Sequence, residues 1–279
     1  MARKIFLTVM TGILLLGAGL IAYPSFSDFV NQQFAYKVIT EYEEAVGQSD
    51  QAQMQEEIKQ AQIYNQSLAG LDPADPFTGE NLTENENDAA KISMCEDGKM
   101  LGYIQIDKID VYCPIYYGTS EEVLNKGIGV VEHSSLPVGG SGTHSVLAGH
   151  SGLPSRKLFT DIDQLEMGDL IFIHVLDQNF AYRVNQSKIV LPTETDDLKI
   201  QKDKDEITLL TCTPYGINTH RLLVRAEWID YDFDATESDS EVKHKKDWMW
   251  VYVGIACMIA VPGTASICLK RRKGKRNGK

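Results

Sequence analysis

A chain of 279 residues with 43% hydrophobic and 24% charged side chains has the composition of one or two folded domains, which excludes a disordered or fibrous polymer. Its net charge of −12 is unevenly spread: residues 1–23 carry only Arg3 and Lys4, residues 248–279 carry seven basic residues and no acid, and the remaining 18 basic and 39 acidic side chains put residues 24–247 at −21. A body of that sign repels phosphate backbones, so nucleic acid is not an expected partner.

The first element is the uncharged run from Ile5 to Tyr23, nineteen residues that at ~1.5 Å each nearly match the ~30 Å of a bilayer core. With basic residues on its outer flank, residues 1–23 read as an N-terminal membrane anchor. A cleaved secretory signal is the alternative, against which stand the length of the run and the lack of a clear small-x-small cleavage site. Residues 24–68 form a helical preface. Phe34, Val38 and Tyr42 make one stripe, Met54, Ile58, Ala61 and Leu68 a second, and Gly47 to Asp50 the turn between two helices. Residues 69–101 lose periodicity around Asp72-Pro73, Asp75-Pro76 and Gly79 and read as an extended loop and linker.

Residues 102–233 switch to short strands. GYIQI, VYCPIY, GVVEH, HSVLAG, DLIFIHVL, FAYRVN, KIVL, EITLLTC and RLLVRAEWI are rich in β-branched and aromatic residues and are punctuated by Gly, Pro, Asn and Asp. One insert, PSRKLFTDIDQL, is predicted helical with Leu158, Phe159, Ile162 and Leu165 inward. The fold class is therefore mainly β, a closed barrel of about eight strands. After a linker at 234–247, Trp248 to Leu269 is uncharged and opens with Trp248, Trp250 and Tyr252, an interfacial aromatic belt. It reads as a C-terminal membrane helix, kinked at Pro262, with the basic tail 270–279 in the cytoplasm. Both termini would then be cytoplasmic, the bilayer a partner, and the acidic body outside.

Five cysteines stand at 95, 113, 212, 257 and 268, the last two inside the second apolar run. The other three have no CxxC or CxxH spacing, which argues against a disulfide framework and structural zinc and leaves at least one free thiol. Cys212 ends the strand EITLLTC before the turn Thr213-Pro214-Tyr215-Gly216, where a scaffold commonly presents a nucleophile. His150 in AGHSGLP lies at another strand end, and Arg221 opens the strand after TPYGINTH. Taken singly, each has an ordinary reading: a core thiol, a loop histidine, a solvated edge charge. Together they meet the minimum for thiol acyl transfer, because imidazole can exchange protons with the thiol and leaving amine while guanidinium stabilises an oxyanion. No HExxH, Walker or dinucleotide motif competes.

The stretch Thr208-Leu209-Leu210-Thr211-Cys212 resembles the TLxTC signature of the sortases, cysteine transpeptidases of Gram-positive cell surfaces. THSVLAGHSGLPSRKLFTDIDQLEMGD and TLLTCTPYGINTHRLLVR look like the class C, pilin-polymerising branch, and the likeness runs from about Gly102 to Trp228. The resemblance implies Cys212 as nucleophile, His150 as acid/base, Arg221 as the carbonyl and oxyanion partner and Thr211 as the motif residue beside the nucleophile. It also implies a lid with an Asp-Pro-aromatic motif, which Asp75-Pro76-Phe77 fits and Asp72-Pro73-Ala74 does not. By analogy Asp75 would pair with Arg221 at a partly exposed site while Phe77 covers Cys212. His133 stands where the family pattern suggests a small residue; His144, His174, His220 and His244 are expected on the surface or in strands.

The implied reaction is cleavage of an LPxTG-type sorting signal through a thioacyl intermediate and its transfer to a lysine of another pilin subunit, with no metal or cofactor. Alternatives are a housekeeping sortase that uses a cell-wall peptide amine, a hydrolytic cysteine protease and a non-enzymatic pilus-assembly scaffold. An L,D-transpeptidase is disfavoured by the missing SHGC-type motif.

Overall fold

The computed structural model describes residues 2–68, 73–78, 92–153 and 155–233. The expected C-terminal membrane helix, the basic tail, His244, Cys257, Cys268, Asp72 and most of the linker at 69–101 lie outside the described residues.

The N-terminal apolar run and the first half of the preface are one helix, α1 (Ala2–Gln48), which continues through Pro24. Its first part is long and apolar enough to cross a membrane and is not buried in the protein. Farther along, Ile39 is fully buried and Tyr42 half-buried against the barrel, whereas Phe34, assigned to that stripe from its spacing, is exposed. The inward face is set by Ile39 and Tyr42, three residues apart, and Phe34 falls outside it. Tyr42 fixes the helix by donating to the Leu101 carbonyl and accepting from the Leu176 amide. After the turn, α2 (Gln51–Ser67) is capped by the Asp50 carboxylate, which accepts the Ala52 amide at 3.0 Å. It buries Met54, Ile58 and Ala61, and Leu68 at its end, as the spacing predicts.

Eight strands close the barrel: β1 (Met100–Ile106), β2 (Val111–Tyr117), β3 (Ile128–Val130), β4 (Thr143–Ala148), β5 (Leu170–Val175), β6 (Gln178–Val190), β7 (Asp205–Thr213) and β8 (His220–Ile229). Their order is β1-β2-β3-β4-β7-β8-β6-β5, and β5 pairs back onto β1. FAYRVN and KIVL, read as two segments, are one strand, because β6 absorbs the break as a register shift between Val184 and Gln186. A short helix, α3 (Glu121–Lys126), was not expected, although Ser120 caps it and Lys126 closes its last turn. The insert after Gly152 is not a helix. Leu158 has φ of 38°, which breaks any helical run, and only Ile162–Gln164 turn as a 3-10 helix. Leu158, Phe159, Ile162 and Leu165 are nevertheless all buried.

The strand pattern separates two apolar layers. Ile207 and Leu209 of β7 join the main core inside the barrel, while Leu210 joins a smaller cluster with Val146, Ala148, Val190 and Leu223. Alternation along β7 therefore puts Thr211 with the first set and Thr208 and Cys212 with the second. This is why EITLLTC is a nearly continuous buried run instead of an alternating one.

Candidate active site

Cys212 and Arg221 are direct cross-strand partners in the antiparallel β7–β8 pair. Directly opposed residues have side chains on one face, so register alone brings thiol and guanidinium together. The third strand is β4, parallel to β7 with Ala148 beside Leu210. The Gly149 amide donates to the Leu210 carbonyl at 3.1 Å, which delivers His150 to the rim of the same barrel end. Thr211 strengthens this junction: its buried hydroxyl donates to the Gly149 carbonyl at 2.6 Å. Gly149 is required there for close approach, since a Cβ would stand 2.7 Å from Phe159 and 2.8 Å from Ile128.

The Asp-Pro-Phe segment occupies this end of the barrel. The Arg221 Nε donates to Asp75 Oδ1 at 2.8 Å and Nη2 to Asp75 Oδ2 at 2.7 Å, a two-pronged pair. Its Nη1 donates to the carbonyls of Asn218 and His220. The pair is buried, with side chains only 7% and 4% exposed, and not partly exposed as expected from sequence. The reason is local: Asp75 is buried beside the β7–β8 strand ends, and Phe77 packs on the cluster of Val146, Ala148, Leu210 and Leu223. The Phe77 ring lies 5.3 Å from the Arg221 guanidinium carbon and 5.7 Å from the His150 ring, tilted by 47°. Pro76 sits in the turn between the two anchoring residues, and the Thr78 hydroxyl donates back to the Asp75 carbonyl at 3.0 Å.

Burial sets the protonation states. It raises the Cys212 thiol above its ordinary range, an effect that Arg221 opposes and Asp75 reinforces. It lowers the His150 imidazole, against which Glu121 of α3 acts. Burial is the largest single influence on the Arg221 guanidinium and works against its charge, but the hydrogen bonds to Asp75 together with the charges of Cys212 and Asp75 outweigh it and raise the guanidinium further. With the segment in place, neutral thiol and neutral imidazole are favoured over the thiolate–imidazolium pair.

The other sequence candidates lie elsewhere. His144 is fully buried in β4, with Nδ1 3.0 Å from the Lys199 carbonyl and Nε2 2.7 Å from the Thr208 hydroxyl. His174 stacks on Tyr103 in β5, and His220 begins β8 beside Thr219. His133 adopts φ of 62° in the turn after β3. Cys95, Cys113 and Cys212 are all free thiols, and burial pushes Cys95 and Cys113 up to about 12.

Residues 104–229, most of the barrel, match the Sortase domain. The chain is 30% identical over 149 residues to Sortase D of Bacillus subtilis, covering 53% of this chain and 72% of that one. Among solved structures it resembles a Clostridium perfringens sortase C determined with the C-terminal cell wall sorting motif, at 47% identity and a TM-score of 0.62 over 71% of this chain and all of that one. A Streptococcus pneumoniae sortase C is similar at 43% identity and a TM-score of 0.64, over 70% and 97% of the two chains. The closed barrel and these likenesses identify the chain as a member of the sortase family of cysteine transpeptidases, with class C sortases as its structural neighbours.

Proposed function

We propose that this sortase is a membrane-anchored pilin polymerase of class C, with Cys212, His150 and Arg221 as its catalytic residues and the Asp75-Pro76-Phe77 turn as a lid. The observation that carries the reading is the Asp75 carboxylate seated on Arg221 by two hydrogen bonds, at the strand end shared with Cys212. A guanidinium bound in this way has Nε and Nη2 already engaged. They become available to a substrate carbonyl only when the segment withdraws.

In the proposed reaction the Cys212 thiol gives its proton to His150, and the resulting thiolate attacks the threonine carbonyl carbon of an LPxTG-type signal. The C–O π electrons move to oxygen, and Arg221 stabilises that oxyanion. As the tetrahedral species collapses, the Thr–Gly C–N bond breaks and His150 gives its proton to the departing amine. The thioester is then attacked by a lysine amine of another pilin subunit, whose proton passes to His150. The C–S bond breaks, thiolate returns, and an isopeptide remains. The apolar start of α1 would hold the enzyme at the membrane with its acidic body outside, and so raise its effective concentration toward membrane-held pilin.

The test is to incubate the full chain in detergent micelles with candidate pilins, beside Cys212→Ala and the lid variant Phe77→Ala, followed by mass spectrometry. Lysine-linked pilin multimers and a Cys212-dependent thioacyl adduct are expected. An adduct that yields only hydrolysis or transfer to small cell-wall amines would replace pilin polymerisation with the housekeeping reading. Multimers formed equally by Cys212→Ala would show that the catalytic assignment is wrong.

A further inference from the structure

The segment after His150 is held from an unexpected direction. Residues 150–153 and 155–160 lie in a segment tied at its base, where the Phe159 amide donates to the His150 carbonyl at 3.2 Å. The Gly152 amide donates to the Thr160 hydroxyl and the Thr160 amide to the Lys157 carbonyl, which brace the segment internally. Its outer side is bound to α1. The Asp28 Oδ1 accepts the Lys157 amide at 2.8 Å, and the Asn31 Nδ2 donates to the Ser155 carbonyl at 2.8 Å. Asp28 is held in turn by Gln32, whose Nε2 donates to its other oxygen at 3.0 Å.

These two residues stand one helical turn apart on one face of α1. They lie five and eight residues past Tyr23, where the apolar run ends, about 8 and 12 Å along the helix axis. The same unbroken helix therefore carries the membrane-compatible segment and the grip on the His150 loop. Displacement of that loop is transmitted inward, because the Phe159 ring fills the space that Gly149 leaves open beside His150.

We propose that Asp28 and Asn31 are positioning residues for His150, through which the juxtamembrane part of α1 holds the histidine in its transfer geometry. The proposal rests on the reading of His150 as the acid/base. Neither residue touches the reacting atoms; both act through the 155–157 backbone. A misplacement of about 1 Å in a proton-transfer group can cost up to about 100-fold in rate, so partial loosening of this loop is expected to cost about tenfold.

The test uses the full chain in lipid nanodiscs, in the open-lid Phe77→Ala background, with a sorting-signal peptide and an amine acceptor. Two near-isosteric substitutions have opposite expected outcomes. Asp28→Asn keeps a carbonyl oxygen for the Lys157 amide and should retain most of kcat. Asn31→Asp replaces a donor with a carboxylate facing the Ser155 carbonyl and should lower kcat about tenfold with little change in KM. Asp28→Ala should resemble Asn31→Asp, and in both the limb of the pH–rate profile set by His150 should move to higher pH as the ring gains solvent. Wild-type kcat and pH profile in Asn31→Asp and Asp28→Ala, with His150→Ala inactive, would overturn the clamp and leave the acid/base assignment standing. Undiminished transfer by His150→Ala would instead overturn the acid/base assignment, and the clamp with it.

Discussion

Replacing Asp75 with Ala should expose Cys212 to small thiol reagents far more than any other single change in the lid. The carboxylate makes two hydrogen bonds to a charged, buried guanidinium, each of a kind that contributes about 1.5–3 kcal/mol. Part of that is recovered when the open lid lets water reach Arg221, which leaves a net effect of about 3 kcal/mol, or about 100-fold in the open population. Phe77→Ala removes a cation–π contact of about 0.5–2 kcal/mol and a tilted ring contact of about 0.5–1.5 kcal/mol, so about tenfold is expected there. The assay is the second-order rate of mixed-disulfide formation with a small charged methanethiosulfonate on the full chain, with the rate of Cys212→Ala subtracted. Cys95 and Cys113 contribute little, because burial pushes both thiols up to about 12. The pH dependence adds a second reading. Asp75 and burial both raise the Cys212 thiol, so in Asp75→Ala the rise of rate with pH should begin at lower pH than in the wild type. Equal rates of thiol modification in the wild type, Asp75→Ala and Phe77→Ala would refute the lid.

Three further outcomes are expected. Thr211→Val keeps the shape of the side chain but leaves the Gly149 carbonyl without its buried donor, so thermal unfolding should show a loss of about 1–3 kcal/mol, and kcat should fall as His150 is released. Burial favours neutral His144, against the Lys199 carbonyl, which can only accept and so fixes the proton on Nδ1, with Nε2 accepting from Thr208. Burial lowers its pKa, so the unfolded chain binds more protons below about pH 6.5 and stability should decline as pH falls through that value; a denaturant midpoint that stays flat from pH 7 to 5 would contradict this. At the alkaline end the sign reverses. Cys95 and Cys113 stay protonated in the fold up to about pH 12, so their contribution to stability should be lost as pH rises beyond the ordinary thiol value of about 8.5, and Cys113→Ala should flatten that decline.

The barrel was legible in the sequence because its signals are local. Strands such as β5 alternate buried Ile171, Ile173 and Val175 with half-exposed Leu170, Phe172 and His174, and the face of α2 follows from spacing alone. Sequence pattern and fold part company where packing overrides a local signal or an element is too short to be periodic. Leu158 keeps its predicted burial while its backbone leaves the helix, and α3 is so short that, despite its Ser120 cap and acidic first turn, it carries no periodic signal. At the site, Cys212 and Arg221 are separated by eight residues and meet through a single hairpin register, which sequence spacing suggests but does not fix. The Asp75–Arg221 pair spans 146 positions and the grip of α1 on Ser155 and Lys157 spans 124 and 129. Contacts at that range are set by packing of whole elements; the first came from family resemblance and the second only from the fold.

These long-range contacts have a common consequence for the chemistry. The cross-strand register supplies thiol and guanidinium as a fixed pair, and β4 brings the histidine alongside. In the proposed lid reading, what varies is how much water and charge reach them. With Asp75 on Arg221 and Phe77 over the cluster, burial favours a neutral thiol and a neutral imidazole, the least reactive protonation state for acyl transfer. Under the proposed lid reading, withdrawal of the segment would free the guanidinium donors, remove the carboxylate that opposes the thiolate and readmit solvent to both rings, so one movement would supply the proposed oxyanion partner and nucleophile together. A sorting signal that binds only the open state would drive that movement by its own affinity, which ties the appearance of a reactive thiol to the presence of substrate.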